Sequence, residues 1–220
     1  MEPTVSGVGV VDKSVAVLGA LEARPLSLNE LVEATGFSRA TTHRLAVALE
    51  AHGLVRRDDE GRFALGVRLI ALGRAAAEAI PLAAAAGPAL EDLRDVTGES
   101  VQLYVRDGDR RVCIAALESP HGLRTIVPMG AALPLDKGSA GELLRGADRA
   151  TVKPWVASVG EREAGVASVS APVLDATGTV VAAVSVSGPI ERTTRQPGKR
   201  YGDAVAAAAR RIERAAGLQG

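Results

Sequence analysis

Aromatic side chains are almost missing from this chain, which has one Trp, two Tyr and two Phe in 220 residues. Its cores must therefore be built from Val, Leu, Ile and Ala. Cysteine is nearly absent too. The single Cys113 excludes an internal disulfide and fits a reducing compartment. Net charge is missing altogether, with 26 Lys+Arg against 26 Asp+Glu, so overall charge names no partner. No apolar run approaches the ~20 residues of a membrane span. The Ala-rich stretch near residue 80 is broken by Arg74, Glu78, Pro81 and Gly87-Pro88. No basic-then-apolar leader opens the chain. The expectation is a cytoplasmic protein with no membrane partner. What is present in quantity is hydrophobic sequence, 47% of the chain, enough for one large or two small folded domains.

Catalytic constellations are equally scarce. Of three histidines, His43 and His52 fall in one N-terminal helix, which leaves His121 alone in the rest of the chain. No His-x-x-x-His, Cys-x-x-Cys or carboxylate–histidine cluster offers a metal site. Gly138-Ser139-Ala140-Gly141 is not the Gly-x-Ser-x-Gly elbow of hydrolases, and no phosphate-binding Gly-x-x-x-x-Gly-Lys loop exists. Cys113, between Val112 and Ile114 in a strand pattern, is expected to be buried rather than reactive. The sequence predicts no enzyme, no cofactor and no metal.

The most purposeful stretch is Ser27 to Val55. Leu28, Leu31 and Val32 fall at helical spacing, with Ser27 as N-cap and Glu30 as its capping-box partner. Gly36 stands where that helix must stop. Ser38 caps a second helix with an apolar stripe of Thr41, Leu45, Ala48, Leu49 and His52. Its other side carries Arg39, Thr42 and His43, with Arg44 on the flank. Helix, glycine turn and a helix opening on Ser-Arg-x-Thr-Thr suit a helix-turn-helix whose second helix enters a DNA major groove. The plain alternative is a helical hairpin with a solvated face.

A helix from Asp12, with Val15, Leu18 and Leu21, would complete a three-helix core. After Val55, two strand-like pieces flank Asp58-Asp59-Glu60-Gly61. They predict a β-hairpin wing carrying Arg56, Arg57 and Arg62 toward phosphates. Seven bases against nine acids in residues 1–65 make this reader too neutral to act alone, so two copies on a paired site are expected. The candidate DNA-facing set is Ser27, Ser38, Arg39, Thr41, Thr42, His43, Arg44, Arg56, Arg57 and Arg62.

Val67 to about Ala86 reads as one long linker helix without a break. From Pro88 the pattern changes to a helix ending at Gly98 and strands at Ser100–Arg106, Arg111–Leu117 and Thr125–Pro128. A helix then starts at Gly138–Leu144. A hairpin of Ala167–Leu174 and Thr179–Ser187 and a closing helix from Asp203 to Ala216 complete an α+β domain. The expected division is 1–66, 67–87 and 88–220. Alternation along Thr179–Ser187 puts Val180, Ala182, Val184 and Val186 on a core face. Val181, Ala183, Ser185 and Ser187 fall on the other. Two hydroxyls facing the helix start at Ser139–Ala140 would make a site for a small organic acid.

The ordered pieces VDKSVAVLGAL, LNELVEATGFSRATTHRLAVALEAHGLV, GRFALGVRLIALG, LPLDKGSAGELL and APVLDATGTVVAAVSVSGPI resemble the IclR family of bacterial transcription regulators. The resemblance implies an N-terminal winged helix-turn-helix, a linker helix and a C-terminal GAF-like effector domain with an antiparallel sheet and flanking helices. It implies double-stranded operator DNA and a small organic or amino acid as partners, and a homodimer or dimer of dimers. It also implies an effector pocket at Ser139, Ala140, Ser170, Pro172, Ser185 and Ser187, lined by Thr125 and Leu133, with an acid near the Gly165 turn, Glu163. One departure stands out: the family carries a longer segment where only Arg145 to Val159 intervenes here, which leaves the pocket wall on that side, and any part of Trp155 in it, open. The function expected is a transcription regulator, a repressor of a metabolic operon. The competing reading is a small-molecule-binding protein or weak enzyme whose N-terminal hairpin serves dimerisation or protein docking.

Overall fold

A computed structural model describes residues 6–146 and 153–219, divided into a unit up to Ala76 and a unit from Ala77. In the first, helices α1 (Gly9–Ala20), α2 (Leu28–Thr35) and α3 (Arg39–Ala51) are followed by strands β1 (Val55–Arg57) and β2 (Phe63–Leu65). Helix α1 begins three residues ahead of the expected Asp12. The start of α2 is fixed reciprocally. The Glu30 amide donates to Ser27 Oγ at 3.3 Å, and the Ser27 amide donates to Glu30 Oε2 at 2.8 Å. Gly36 ends the helix at φ 70°, a conformation that glycine adopts without steric cost. Ser38 Oγ accepts from the Thr41 amide at 3.3 Å and starts α3. Val17, Leu21, Leu31, Leu45, Leu49, Val55 and Phe63 form the core beneath. The hairpin pairs Arg56 with Ala64, and Leu26 exchanges two backbone hydrogen bonds with Phe63, which ties the wing to the helices.

The expected unbroken helix from Val67 to Ala86 is not observed. Helix α4 (Arg68–Glu78) ends, and α5 (Pro81–Thr97) begins at a proline. Pro81 has no amide to continue the α4 ladder and crowds the preceding turn, whereas its fixed φ suits a first helical position. Ile80, just before it, is extended as residues ahead of proline prefer to be. Pro88, by contrast, sits inside α5, so the change of pattern there is not an element boundary.

The second unit is a six-stranded antiparallel sheet in the order β5-β4-β3-β8-β7-β6. It comprises β3 (Ser100–Asp107), β4 (Arg110–Leu117), β5 (Ala132–Pro134), β6 (Val156–Val159), β7 (Val166–Leu174) and β8 (Val180–Pro189). Thr125–Pro128 forms no strand. The edge position belongs to β5, which pairs with Arg110–Val112. Within the short segment Arg145 to Val159, the end supplies the other edge, β6, while residues 147–152 lie outside the described residues. Helices α5 and α8 (Pro197–Ala215) cover one face, where Leu90, Leu93, Val169, Val173, Val184, Val186, Val205 and Ile212 are buried together. The short α6 (Ser139–Leu144) covers the other face with Tyr104, Cys113 and Ala183, and Cys113 is buried as expected. The alternation of β8 holds from Ala182 onward. Val180 instead packs toward α6, because the register with β7 shifts between Val173 and Leu174 and turns the first residue over. Helix α7 (Ile190–Thr193) caps the strand end.

Trp155, left open by the sequence, packs on the α8 side against Gly198 and Gly202, where a Cβ on either glycine would overlap the indole. Gly202→Ala is expected to destabilise the protein by about 1–3 kcal/mol through overpacking. In a Trp155→Ala background the same change should cost much less, a coupling readable by urea unfolding of the four proteins of the cycle. The capping box gives a pH prediction. Its hydrogen bonds from Ser27, aided by Arg24, pull the Glu30 carboxyl from its ordinary 4.5 down to about 2. A depressed carboxylate stabilises the fold fully above the ordinary value, and that contribution is lost as pH falls toward the folded one. Acid unfolding curves of Glu30→Gln and the parent should therefore converge at the low-pH end.

Candidate DNA interface and effector pocket

Helix α3 presents a different face from the one its pattern suggested. Thr42 is 0% exposed, donates to the Ser38 carbonyl at 3.1 Å, and joins Leu45, Ala46 and Leu49 in the core. Ala48 and His52, expected inside, are exposed. Spacing alone allows either stripe, since 41, 45, 48 and 52 also recur at four, three and four residues; Thr42 can take the core position because its hydroxyl is satisfied on the Ser38 carbonyl. The outer face consists of Arg39, Ala40, His43, Arg44 and Val47, the last 40% exposed. Arg39 is held by a hydrogen bond from Nη1 to Asn29 Oδ1 on α2. Ser27 is occupied by its capping box, and Ser38 and half-exposed Thr41 bond each other at 3.0 Å between hydroxyls.

The wing arginines differ among themselves. Arg62 is bound to Asp58 at 2.8 Å and to Glu60, and Arg57 pairs with Glu50 at 3.3 Å while lying 4.2 Å over the Phe63 ring. Arg56 is exposed and forms no ion pair among the described residues. Asp58 and Glu60 of the hairpin turn and Glu50 of α3 thus occupy two of the three cations that the sequence assigned to phosphates. On α3 and the wing, the exposed basic groups outside any ion pair among the described residues are therefore Arg39, His43 and Arg44, with Arg56.

In the second unit, the face of the sheet opposite α5 and α8 holds a chain of hydroxyls. Ser168 Oγ lies 2.8 Å from Ser139 Oγ, and Ser139 Oγ lies 2.8 Å from Ser170 Oγ. Ser170 Oγ then donates to Ser185 Oγ at 2.9 Å, and Ser187 Oγ donates to Gln102 Oε1 at 3.1 Å. Strands β3, β7 and β8 deliver these side chains because Gln102 pairs with Ser185 and Ser170 with Ser185 in the ladder, and residues directly opposite share a face. Helix α6 brings Ser139 and Ala140 over them. A cleft with about 390 Å³ of empty volume, partly open to solvent, is lined by Gln102, Tyr104, Ser139, Ala140, Ser185 and Ser187, with Arg111, Arg162 and Glu163.

Ser139, Ala140, Glu163, Ser170, Ser185 and Ser187 are thus brought together as the sequence suggested. Others are not. Thr125 is buried in a second cavity of about 840 Å³ empty volume beside Leu123, Ile126 and Glu191, which Glu163 also borders. Leu133 packs half-exposed against the Tyr104–Cys113 cluster, and Pro172 is buried in β7 opposite Ala183 and lines neither cavity. The head of α6 is also less free than expected, because the Gly138 amide already donates to the Glu161 carboxylate at 3.0 Å. Sequence reading missed Gln102, Tyr104, Arg111, Arg162 and Ser168. The even spacing of Gln102 and Tyr104 on β3 and of Ser168 and Ser170 on β7 was a usable signal. Arg111 left none, because its role comes from folding under α6. Burial pushes the Tyr104 phenol well above its ordinary range and keeps it neutral, and it raises the Cys113 thiol to about 11. No cluster of His, Cys, Asp and Glu fit for a metal occurs among the described residues.

Residues 10–59 match the IclR helix-turn-helix domain, and residues 74–153 and 142–214 match the bacterial transcriptional regulator IclR C-terminal domain. The transcriptional repressor AllR of Salmonella typhi is 26% identical over 255 aligned residues, 99% of this chain and 94% of AllR. The transcriptional regulator KipR of Bacillus subtilis is 32% identical over 130 residues, 59% of this chain and 52% of KipR, so that match spans about half of the relative. Among solved structures, an IclR homolog from Microbacterium hydrocarbonoxydans complexed with 4-hydroxybenzoate shares the fold with a TM-score of 0.77. It covers 94% of this chain and 98% of that one at 20% identity.

Ser170 tests the hydroxyl chain. It is fully buried with two hydroxyl partners, so Ser170→Ala leaves Ser139 and Ser185 each short of a partner. A loss of about 1–3 kcal/mol is expected, against a smaller change at half-exposed Ser14, whose hydroxyl only donates to the Val10 carbonyl one turn back. Chemical denaturation of both variants checks it.

Proposed function

The chain belongs to the IclR family of bacterial transcription regulators, and from that premise we propose how its two binding functions are divided among its residues. It is a DNA-binding transcription regulator with a C-terminal effector domain. In the proposed reading it represses a metabolic operon, as the name of AllR says of that protein. Arg39 and His43 face base edges, with Ala40 and Val47 offering apolar contact to thymine methyls. Ser38, Thr41 and Arg44 hold the backbone at the head of the helix, and Arg56 adds the wing's phosphate grip. Thr42 serves the core and leaves the reading face.

The effector is a small organic acid held in the serine-lined cleft, and the 4-hydroxybenzoate bound by the Microbacterium homolog is one acid of that kind. A homodimer, or a dimer of dimers, supplies the paired readers that a near-neutral domain needs. Val8, Val11 and Val15, exposed at helical spacing along one side of α1, support a second copy as the occupant of that face. No single helix among the described residues is long and apolar enough to cross a membrane, and the proposed location is the cytoplasm. No catalytic role is proposed for any residue.

The observation that carries this reading is the pairing of a solvent-facing Arg39–His43–Arg44 face in one unit with a polar cleft, partly open to solvent, in the other. Arg44→Gln should weaken operator binding about equally across sequences and lower the salt slope by ~1, while Arg39→Gln should cost about 1–3 kcal/mol and relax sequence preference. Thr42→Val should act on stability alone. Gel shifts across a salt series decide. Unchanged affinity in both arginine variants would overturn the assignment of α3 as the reading helix.

A further inference from the structure

Arg111 is the most deeply buried cation of the sheet face under α6, at 3% exposure, and it has no ion-pair partner among the described residues. Its Nη1 donates to the carbonyls of Lys137, at 2.8 Å, and Pro134, and its guanidinium lies 5.5 Å from the Tyr104 ring centroid. Its Nε–H has no partner among the described residues. The fold treats another arginine differently. Arg192 meets the buried Glu99 through two hydrogen bonds of 2.8 Å each. Asp136 acts on it favourably without forming an ion pair, so a guanidinium hydrogen-bonded only to neutral carbonyls carries an incompletely compensated charge and a costly orphan donor. Arg111 also lines the serine cleft, and a Cβ at Gly141 would strike its Nη1, so α6 closes directly upon it.

The rest of the cleft is rich in donors. Each hydroxyl has one proton. Because Ser170 gives its proton to Ser185, Ser139 must donate to Ser170 and Ser168 to Ser139, which leaves the Ser185 proton free. The Gln102 carbonyl oxygen is taken by Ser187, so its amide N–H groups are what it can offer. The acid bordering the cleft, Glu163, lies 3.5 Å from Arg162.

We propose that Arg111 is the anchor of the effector's carboxylate, and that the effector is a small carboxylic acid bearing at least one further oxygen, read by Ser185 and Gln102. This rests on the effector reading above and narrows it. The carboxylate supplies the counter-charge that the fold withholds from Arg111, accepts from the orphaned Nε–H, and forms charge-assisted hydrogen bonds in a shielded site. The hydroxyl or keto oxygen of the acid accepts from Ser185 and Gln102.

The test is calorimetric titration of the full chain with glycolate, lactate, glycerate, malate and 4-hydroxybenzoate, each beside its amide. At least one acid is expected to bind, with its amide at least ~10-fold weaker. Arg111→Lys keeps a charge but loses the Nε–H, and should bind that acid ~10-fold or more weakly while binding the amide as the parent does. Arg111→Gln should abolish acid binding, and if it does not fold, Arg111→Lys, with parental circular dichroism, carries the test. Acid and amide binding alike, parental acid affinity in Arg111→Lys, or no acid binding would each overturn the proposal. Arg111-dependent acid binding that leaves operator affinity unchanged would support the anchor and defeat the effector reading. A neutral ligand that alone shifts operator affinity, independently of Arg111, would do the reverse.

Discussion

Strand β8 has to satisfy two opposite demands, and the second unit depends on its alternation. Ala182, Val184 and Val186 close the core against α5 and α8, while Ser185 and Ser187 carry the polar side under α6. A slip of one residue would exchange the faces, placing hydroxyls in the aliphatic core and valines in the cleft. The register with β7 prevents this over Ser168–Val173 and yields only at the bulge beside Leu174. With so few aromatics, the aliphatic side depends on close contact between small residues, as at Trp155, whose indole fits only because Gly198 and Gly202 lack side chains. The polar cleft can exist because the other side of the same strand is tightly sealed.

The DNA-reading unit meets a different constraint. Its acids and bases nearly balance, and two wing arginines are bound to nearby carboxylates, so counterion release from one copy is small. In the proposed dimer, affinity comes from a few unpaired cations on α3 and from the pairing of copies. A reader of that kind is controllable, because the paired arrangement, rather than either copy alone, decides the sum. An effector that favours one arrangement needs only a few kcal/mol of preference to switch it.

Local chemistry made much of the fold legible in advance. The Ser27–Glu30 box, the Gly36 stop, the Ser38 cap and the Asp175–Gly178 turn are short-range signals, and each element appears where they point. The misreadings came where a longer-range competition decides. Pro81 ended a helix that Ala-rich sequence seemed to continue, whereas Pro88 did not, because its place inside α5 is held by packing of Ala86, Ala89 and Leu90. On α3, a threonine satisfied its hydroxyl on the Ser38 carbonyl and took a core position that an alanine could have claimed. The serines of the cleft could be read from strand alternation. Arg111 could not, since an arginine opposite Leu133 in an edge hairpin looks like a solvated residue until α6 is folded over it.

In the proposed mechanism, acid binding in the C-terminal unit and operator binding by α3 form one coupled equilibrium. Linkage makes this directly measurable: the factor by which a bound acid changes operator affinity must equal the factor by which operator changes acid affinity. Equal factors, clearly different from one, are expected when both are measured by titration of the full chain at one salt concentration. Binding of both partners with each affinity unmoved by the other would contradict it.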